Sequence, residues 1–585
     1  MLLTASCSGK ELPDPPSSDG GGDDSAIDTT DSGAASDDTE VPTDTAPVTD
    51  DTSDADTSGP ENARLEGGGV ITCADPGARA ASPLLPWSPG GDWDDQDWEG
   101  PETNVAGAGV TVAELTGDGR NDIYLSHWEQ DQLYVGQADG SFTDETAARL
   151  PAMASNTSTT TAADVDGDGD LDLYVSNMEG NDYLLINDGS GHFSDGTAAA
   201  GLAGRDRRSL GNSFGDMDGD GDLDLFVADY LWCQESEFGA IECDRDPETL
   251  DPRTLWENRD GVFVDVSERL ELDTLRHSLM HGAVWVDVDD DDDQDLYIIN
   301  DFRTEISWVE PNLLYLNGGD GTFTRAPEEA RVEIAIASMG IGLGDINSDE
   351  RPDFIISDFY RVSLLESLSP VEWYDGALAR GLQMNGGADK GDRETGWGTL
   401  LEDFDNDGDL DTAVVFGILF PMEGSFGIRE QPDALFLQGD DGQFEEIAEQ
   451  WGFADTSISR ALGIIDIDGD GWLDFIRGAL DAPATLYRGA CGAESWLEIH
   501  LRDDATANRY GVGARVKVTA GGESQLRWIV AGGTSIHTSL QPMAHFGLDD
   551  AAVVDKLEVR WPDGETTTFS DVTLNQIVTV SRESD

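Results

Sequence analysis

Polar and apolar residues follow one recurring order through the middle of the chain. An apolar stretch leads into an acidic loop, then into a run such as "LDLYVSN", then into another such as "YLLIND", and often into a Gly-x-Phe turn. Short apolar or alternating runs bounded by Gly, Asp and Asn are the signature of β-strands, here four to a unit. The order opens seven times, at Glu114, Asp164, Asp216, Asp287, Asp345, Asp403 and Asp466. The Gly-x-Phe turn recurs in phase at Gly140 to Phe142, Gly191 to Phe193, Gly261 to Phe263, Gly321 to Phe323 and Gly442 to Phe444. Four-stranded units of this period bury their faces against each other and close most naturally into a β-propeller, which leaves no long exposed sheet edge. The pattern thus predicts an all-β protein with a seven-bladed, calcium-binding β-propeller over residues 66–492.

The loops supply the calcium expectation. In "ADVDGDGDLDLYV", Asp164, Asp166 and Asp168 alternate, Gly167 and Gly169 relax the backbone, Asp172 closes the set, and the carbonyl of Asp170 adds a ligand. Calcium takes six to eight hard oxygens. Two carboxylates about 4 Å apart repel by roughly 4 kcal/mol at an effective dielectric of 20, so a loop built this way expects a cation. It is not an EF-hand, because Val175 stands where the bidentate Glu belongs and a strand follows. The same set recurs as Asp216, Asp218, Asp220, Asp222 and Asp224, as Asp403, Asp405, Asp407, Asp409 and Asp411, and as Asp466, Asp468, Asp470, Trp472 and Asp474. Three copies depart from it. The first has Glu114 and Thr116 before Asp118 and Asp122. The fourth has Asp287, Asp289, Asp291 and Asp295, but Asp292 where Gly belongs. The fifth has Asp345, Asn347, Asp349 and Asp353 with a bulky Glu350 at the turn. These three are expected to be weak or empty.

Charge agrees with that reading. The 585 residues hold 120 acidic and 33 basic side chains, a formal net charge of −87, which disfavours nucleic acid and anionic membranes and favours cations. The acid is not confined to the loops. From residue 8 to about 65 the chain is Asp, Ser, Thr, Gly, Pro and Ala with almost nothing to bury, and reads as a disordered tether. Before it, Ala5 and Ser6 precede Cys7 in residues 1–7, which resembles a bacterial lipoprotein cleavage box, though Thr4 stands where Leu is usual. Six residues are too few for a signal peptide, so the expectation is a longer leader and a lipid-anchored Cys7. Of the other cysteines, Cys233 and Cys243 flank an insertion after the third loop, while Cys73 precedes the ring and Cys491 follows it. Two disulfides, Cys233–Cys243 and Cys73–Cys491, are expected of an exported protein.

After "YRGACGAESW" the acidic loops cease and alternating strands such as "ARVKVTA" and "LEVRW" take over, predicting a small β-sandwich-like domain over 493–585. "SFGDMDGDGDLDLFVAD" and "ALGIIDIDGDGWLDFIRGAL" resemble FG-GAP or VCBS repeats, the calcium-binding blades of the integrin α propeller. "YGVGARVKVTAGG", "HFGLDDAAVVDKLEVRWPDGE" and "NQIVTV" resemble the ASPIC/UnbV domain, which accompanies such repeats in bacterial surface proteins and the cartilage acidic protein family. The resemblance implies structural calcium at the rim of a recognition ring and no catalytic role.

Candidate catalysts are sparse. His277 and His281, in "HSLMHG", could share a metal on a helix but lack an acid between them and lead into a strand. No Gly-x-Ser-x-Gly elbow or phosphate loop occurs, and Asn156 lies in a sequon without further support. The expected function is non-enzymatic recognition or adhesion outside the cell, by a secreted protein or a surface lipoprotein, with a protein or glycan as ligand. Membrane contact would come only through a lipid anchor, and nucleic acid is excluded. The alternatives are a calcium-dependent lyase or hydrolase of carbohydrate, since propellers host such sites, and a structural matrix component.

Overall fold

In a computed structural model, residues 63–71, 85–87 and 107–583 are described, apart from 129, 154–155, 205–207, 232, 236–240, 244–252, 303–308, 360, 384–393, 419–430, 489–491, 533–534 and 536. All lie in one compact unit, Asp54–Asp585. Cys7, Cys73, Cys491 and most of the acidic tether fall outside the described residues.

Seven antiparallel sheets follow one another along the chain, each with an inner strand leading to an acidic loop and a second strand leaving it. The inner strands are Gly109–Ala113, Thr157–Ala163, Ser209–Gly215, Met280–Val286, Gly340–Gly344, Gly396–Glu402 and Ser459–Ile465. The second strands, such as Asp172–Asn177 and Asp295–Asn300, are buried along their whole length. Covered on both faces by neighbouring sheets, they read as continuous apolar runs rather than strict alternation. Inner strands crowd together, and at Gly211 a Cβ would meet the carbonyl of His281 at 2.5 Å on the neighbouring inner strand.

Each adjacent pair of sheets shares a core. Ala113, Tyr124, Ala162 and Leu173 join the first and second, Tyr174, Phe214 and Trp256 the second and third, and Phe226, Trp285 and Leu296 the third and fourth. Tyr297, Phe354 and Trp373 join the fourth and fifth, Ile355, Leu401 and Phe436 the fifth and sixth, and Phe404, Leu462 and Phe475 the sixth and seventh. Val110, Ile123, Ile465 and Ile476 then place the seventh against the first. This is the arrangement of a seven-bladed propeller. The seventh sheet takes its outer strand from upstream of the first, Leu85–Trp87 pairing with Thr485–Arg488, which nothing in the repeat pattern announces.

The carboxyl-terminal module packs two four-stranded sheets over one core that includes Leu497, Val516, Leu557, Trp561 and Val578. One edge strand is Ala63–Gly67, paired antiparallel with Gln576–Arg582. These residues, assigned from sequence to the tether and the start of the ring, belong to the far end of the chain: the alternation that buries Ala63 and Leu65 partly against that core is too short to read alone.

Between two of its strands, Glu523–Trp528 and Ala544–Gly547, the module sends a segment among the inner strands of the propeller. Ala531–Gly532 pair with Phe214 and Ser213, Ser535 bridges Gly340, and Thr538–Leu540 run parallel to Val110–Val112. Fully buried His537 places Nδ1 2.9 Å from the carbonyl of Ser158, and the hydroxyl of Thr538 accepts from the amide of Leu462 at 3.1 Å. The segment therefore plugs the axis of the ring.

Candidate metal centres

Each acidic loop is a hairpin built around two acids, aspartates in every loop but the first, which opens on Glu114. The first anchors the turn: Asp164 accepts the amides of Gly167 and Gly169, both at 2.9 Å. Asp216 does the same for Gly219 and Gly221 at 2.9 and 3.0 Å. The last ties the loop to the next strand, Asp172 accepting from Val165 at 3.2 Å and Asn187 at 2.8 Å, and Asp224 from Met217 and Asn258, both at 2.8 Å. The turn needs left-handed backbone at two positions, Gly167 (φ 74°) and Gly169 (φ 96°) in the second loop.

This scaffold brings carboxylates together in five loops. In the second, third and sixth, one oxygen each of the first, second and last aspartates lies within 4.8 Å of the others: Asp164, Asp166 and Asp172; Asp216, Asp218 and Asp224; Asp403, Asp405 and Asp411. In the fourth and seventh the group is Asp287, Asp289 and Asp291, and Asp466, Asp468 and Asp470. The fourth loop, expected to be weak because Asp292 replaces Gly, does gather three carboxylates, since Asp290 (φ 67°) and Asp292 (φ 74°) adopt the backbone glycine would have. Among the described residues no such trio forms in the first loop, around Glu114, Asp118 and Asp122, or in the fifth, around Asp345, Asn347, Asp349 and Asp353. Asp168, Asp170, Asp220, Asp222, Asp407, Asp409, Trp472, Asp474 and Asp295 stand outside the trios. Asp168 instead accepts the amide of Asp170 at 3.1 Å.

The donor set fits a hard cation. Asp218 Oδ1, Asp289 Oδ1 and Asp403 Oδ1 are buried carboxylate oxygens without a hydrogen-bond donor among the described residues. An unsatisfied buried acceptor costs its full desolvation, and a cation would remove that cost. Burial pushes the carboxyl of Asp164 up to about 7, and those of Asp172, Asp403 and Asp466 up to about 8, with neighbouring loop carboxylates adding to the rise. These clusters can bind a metal ion.

The carboxyl-terminal module caps the loops. Gln541 accepts the amide of Glu114 at 3.3 Å in the first. Arg509 donates to the carbonyl of Gly167 at 3.0 Å, and Arg502 and Tyr510 donate to that of Gly169 at 3.3 and 3.1 Å in the second. The amide of Asn508 donates to Gly221 at 2.7 Å in the third. Arg515 reaches Asp290 at 2.6 Å and Asp292 at 3.2 Å, Arg560 pairs with Asp292, and Lys517 reaches Glu350 at 2.7 Å in the fourth and fifth. In the sixth, Asn406 (φ 59°) meets His545 Nε2 at 2.7 Å and takes the amide of Asp549 at 2.9 Å. In the seventh, Trp496 packs so tightly on Gly471 that a Cβ there would enter its ring. None of these partners was legible as functional.

His277 and His281 do not share a site: His281 sits buried on an inner strand, its Nδ1 2.6 Å from the carbonyl of Ser338. Cys233 and Cys243 stand directly opposite each other in a short hairpin, Cys233–Glu235 with Ile241–Cys243. Among the described residues no helix is long and apolar enough to cross a membrane.

Comparison with known proteins agrees with this division. An FG-GAP-like repeat model matches residues 114–175, 164–227, 287–356 and 403–476, which together contain all seven loops, and the ASPIC and UnbV model matches 504–585. Cartilage acidic protein 1 of Xenopus tropicalis is 26% identical over 387 residues, 62% of this chain and 54% of that protein. The Homo sapiens protein is 30% identical over 278 residues, 44% of this chain and 38% of that protein. The chain thus spans about half the length of the first relative and less of the second. An Agrocybe aegerita lectin that recognises non-reducing terminal N-acetylglucosamine covers 76% of this chain over its own full length, at 13% identity and a TM-score of 0.36, too distant to bear on function.

Proposed function

The chain is an FG-GAP-like repeat protein with a carboxyl-terminal ASPIC and UnbV domain, homologous to cartilage acidic protein 1, and on that premise we propose that it is an extracellular recognition or adhesion protein scaffolded by calcium. The observation that carries the reading is the convergence of three carboxylates on one point in loops that all lie at one end of the ring. Calcium suits these all-oxygen, flexible sites. Lipid anchoring at Cys7 and bridges Cys233–Cys243 and Cys73–Cys491 complete the exported form.

The capping module favours a structural over a catalytic metal. A calcium that polarises an acidic sugar must be open to substrate, whereas every loop is engaged by residues between Trp496 and Arg560. Ligand recognition then falls to the opposite end of the ring, where second strands finish and half-buried Trp128, Phe302 and Phe359 stand. The test is a pull-down from native envelope and matrix material with calcium and with chelator. A protein or glycan retained only with calcium is expected, and nothing retained above the chelated control would sink the recognition reading.

A further inference from the structure

A cavity of about 70 Å³ lies where the capping module meets the axis of the ring. Its apolar wall is shared: Val112, Leu343, Leu400 and Ile464 come from the inner strands of the first, fifth, sixth and seventh sheets, and Leu540 and Met543 from the plug. Four polar residues complete the wall. Glu402, at the end of the sixth inner strand, accepts no hydrogen bond and forms no ion pair among the described residues, and its Oε2 is buried. Arg527, 7% exposed, directs its terminal nitrogens to the carbonyl of Leu526 and to Gln525 Oε1, both at 3.1 Å, and leaves Nε buried without an acceptor. Trp528 Nε1 and His545 Nδ1 are likewise buried and unpartnered among the described residues.

We propose that this cavity is a binding site for a small uncharged molecule carrying hydroxyl groups, a cluster of water or a diol-sized polyol, held jointly by the ring and the module. The polar atoms set that chemistry. Arg527 Nε and Trp528 Nε1 are donors, and the Glu402 carboxylate is an acceptor. His545 supplies a second acceptor: Asn406 turns its amide nitrogen to the carbonyl of Gly471 at 3.1 Å and its oxygen to His545 Nε2 at 2.7 Å, so Nε2 carries the proton. Burial pushes His545 down to about 4, which keeps the ring neutral and Nδ1 bare. Hydroxyls both donate and accept, and so match two donors and two acceptors that would otherwise stay desolvated without compensation. Charge disfavours an ion. A cation would meet the guanidinium of Arg527, and an anion the carboxylates of Glu402, Asp403 and Asp345 around it. The volume of about 70 Å³ holds about five waters at roughly 10–15 Å³ each, and is about half of the roughly 150 Å³ that accommodates benzene. None of the four polar residues belongs to a carboxylate trio, so the site stands apart from the metal loops. Both halves of its wall are needed, so the occupant is held only while the module is docked.

A crystal structure of the full chain, grown and frozen without polyol, shows the occupant directly. Density within hydrogen-bonding distance of Glu402 and of at least two of Arg527 Nε, Trp528 Nε1 and His545 Nδ1 is expected. A second crystal soaked in ethylene glycol separates the two sources: a diol in place of the waters assigns a polyol site, and unchanged water assigns a hydration site. Trp528→Phe, which keeps an aromatic ring and removes the donor, should lose the density bonded to Nε1 and keep that on Glu402. Xenon entering the wild-type cavity under pressure, no density beside Glu402, Glu402 closed onto Arg527 as an ion pair, or density unchanged in Trp528→Phe overturns the inference.

Discussion

Removing the metal should invert how stability responds to pH. Burial raises Asp164 and Asp216 to about 7, and Asp172, Asp403 and Asp466 to about 8, whereas the unfolded chain releases these protons near pH 4. A raised carboxyl stabilises the fold while protonated, so its contribution is fully present below about pH 4 and lost as pH climbs through 7 to 8. For Asp164 alone, a rise from 3.8 to about 7 amounts to roughly 4 kcal/mol at 1.36 kcal/mol per unit. Metal reverses the balance because it binds the deprotonated form. At a hundred times its dissociation constant each ion adds about 2.7 kcal/mol, or about 11 with the four loops of complete sequence filled. With about 2.1 cal/mol/K of unfolding entropy per residue over roughly 500 residues, that is about 10 °C in Tm at pH 8. Circular dichroism melts at about pH 5.5 and pH 8, with calcium and after exhaustive chelation, check both parts. The chelated protein should melt higher at the lower pH, and the calcium-induced gain should be larger at pH 8. A chelated protein as stable at pH 8 as at pH 5.5, or a calcium effect below about 2 °C at pH 8, would refute the reasoning.

Three further outcomes follow from particular contacts. Gly471→Ala puts a Cβ into the Trp496 ring at a position with φ 79°, so it should loosen the capping module and expose residues beyond Trp496 to limited proteolysis, while the ring's own melt changes little. Asp122→Asn should cost on the order of 1–3 kcal/mol in chemical denaturation, with or without calcium, because both carboxylate oxygens accept buried amides, from Leu115 at 3.0 Å and Gly136 at 2.8 Å. Non-reducing peptide mapping of exported material should join Cys233 to Cys243, which face each other in register, and free thiols there would contradict export through an oxidising compartment.

What the sequence disclosed was whatever repeats locally. Loop, second strand and Gly-x-Phe turn are fixed by neighbours in the chain, so seven units could be read from Asp, Gly and apolar spacing alone. What it concealed depends on pairing between distant segments. Leu85–Trp87 completes the seventh sheet and Ala63–Gly67 edges the carboxyl-terminal one, each too short to show a period. The plug is less legible still: Thr538–Leu540 contributes backbone pairing to Val110–Val112, and backbone groups carry no residue signature. In the metal loops the acids were legible, but not which of them converge. That depends on whether the third or the last aspartate turns toward the first two.

The last aspartate of each loop shows why the motif outnumbers the convergent carboxylate clusters. Asp122 and Asp353 belong to loops without a carboxylate trio, yet each accepts two backbone amides as Asp172 and Asp411 do, Asp353 from Ile346 at 2.9 Å and Ser367 at 2.6 Å. A carboxylate has about four lone-pair sites, so bonding two amides leaves it free to ligate but does not require it to. Its place in the hairpin is therefore set by the strand that follows, in every blade. Asp118, Asp290, Asp292, Asp349 and Glu350 are bound by no such rule, and each of them meets an arginine or a lysine. Loop acidity thus reports the hairpin at its last position, and at some of its middle ones a neighbouring arginine or lysine. Acidic spacing in the repeat therefore locates all seven hairpins, whereas convergence of three carboxylates, found in five of them among the described residues, depends on how the middle acids turn.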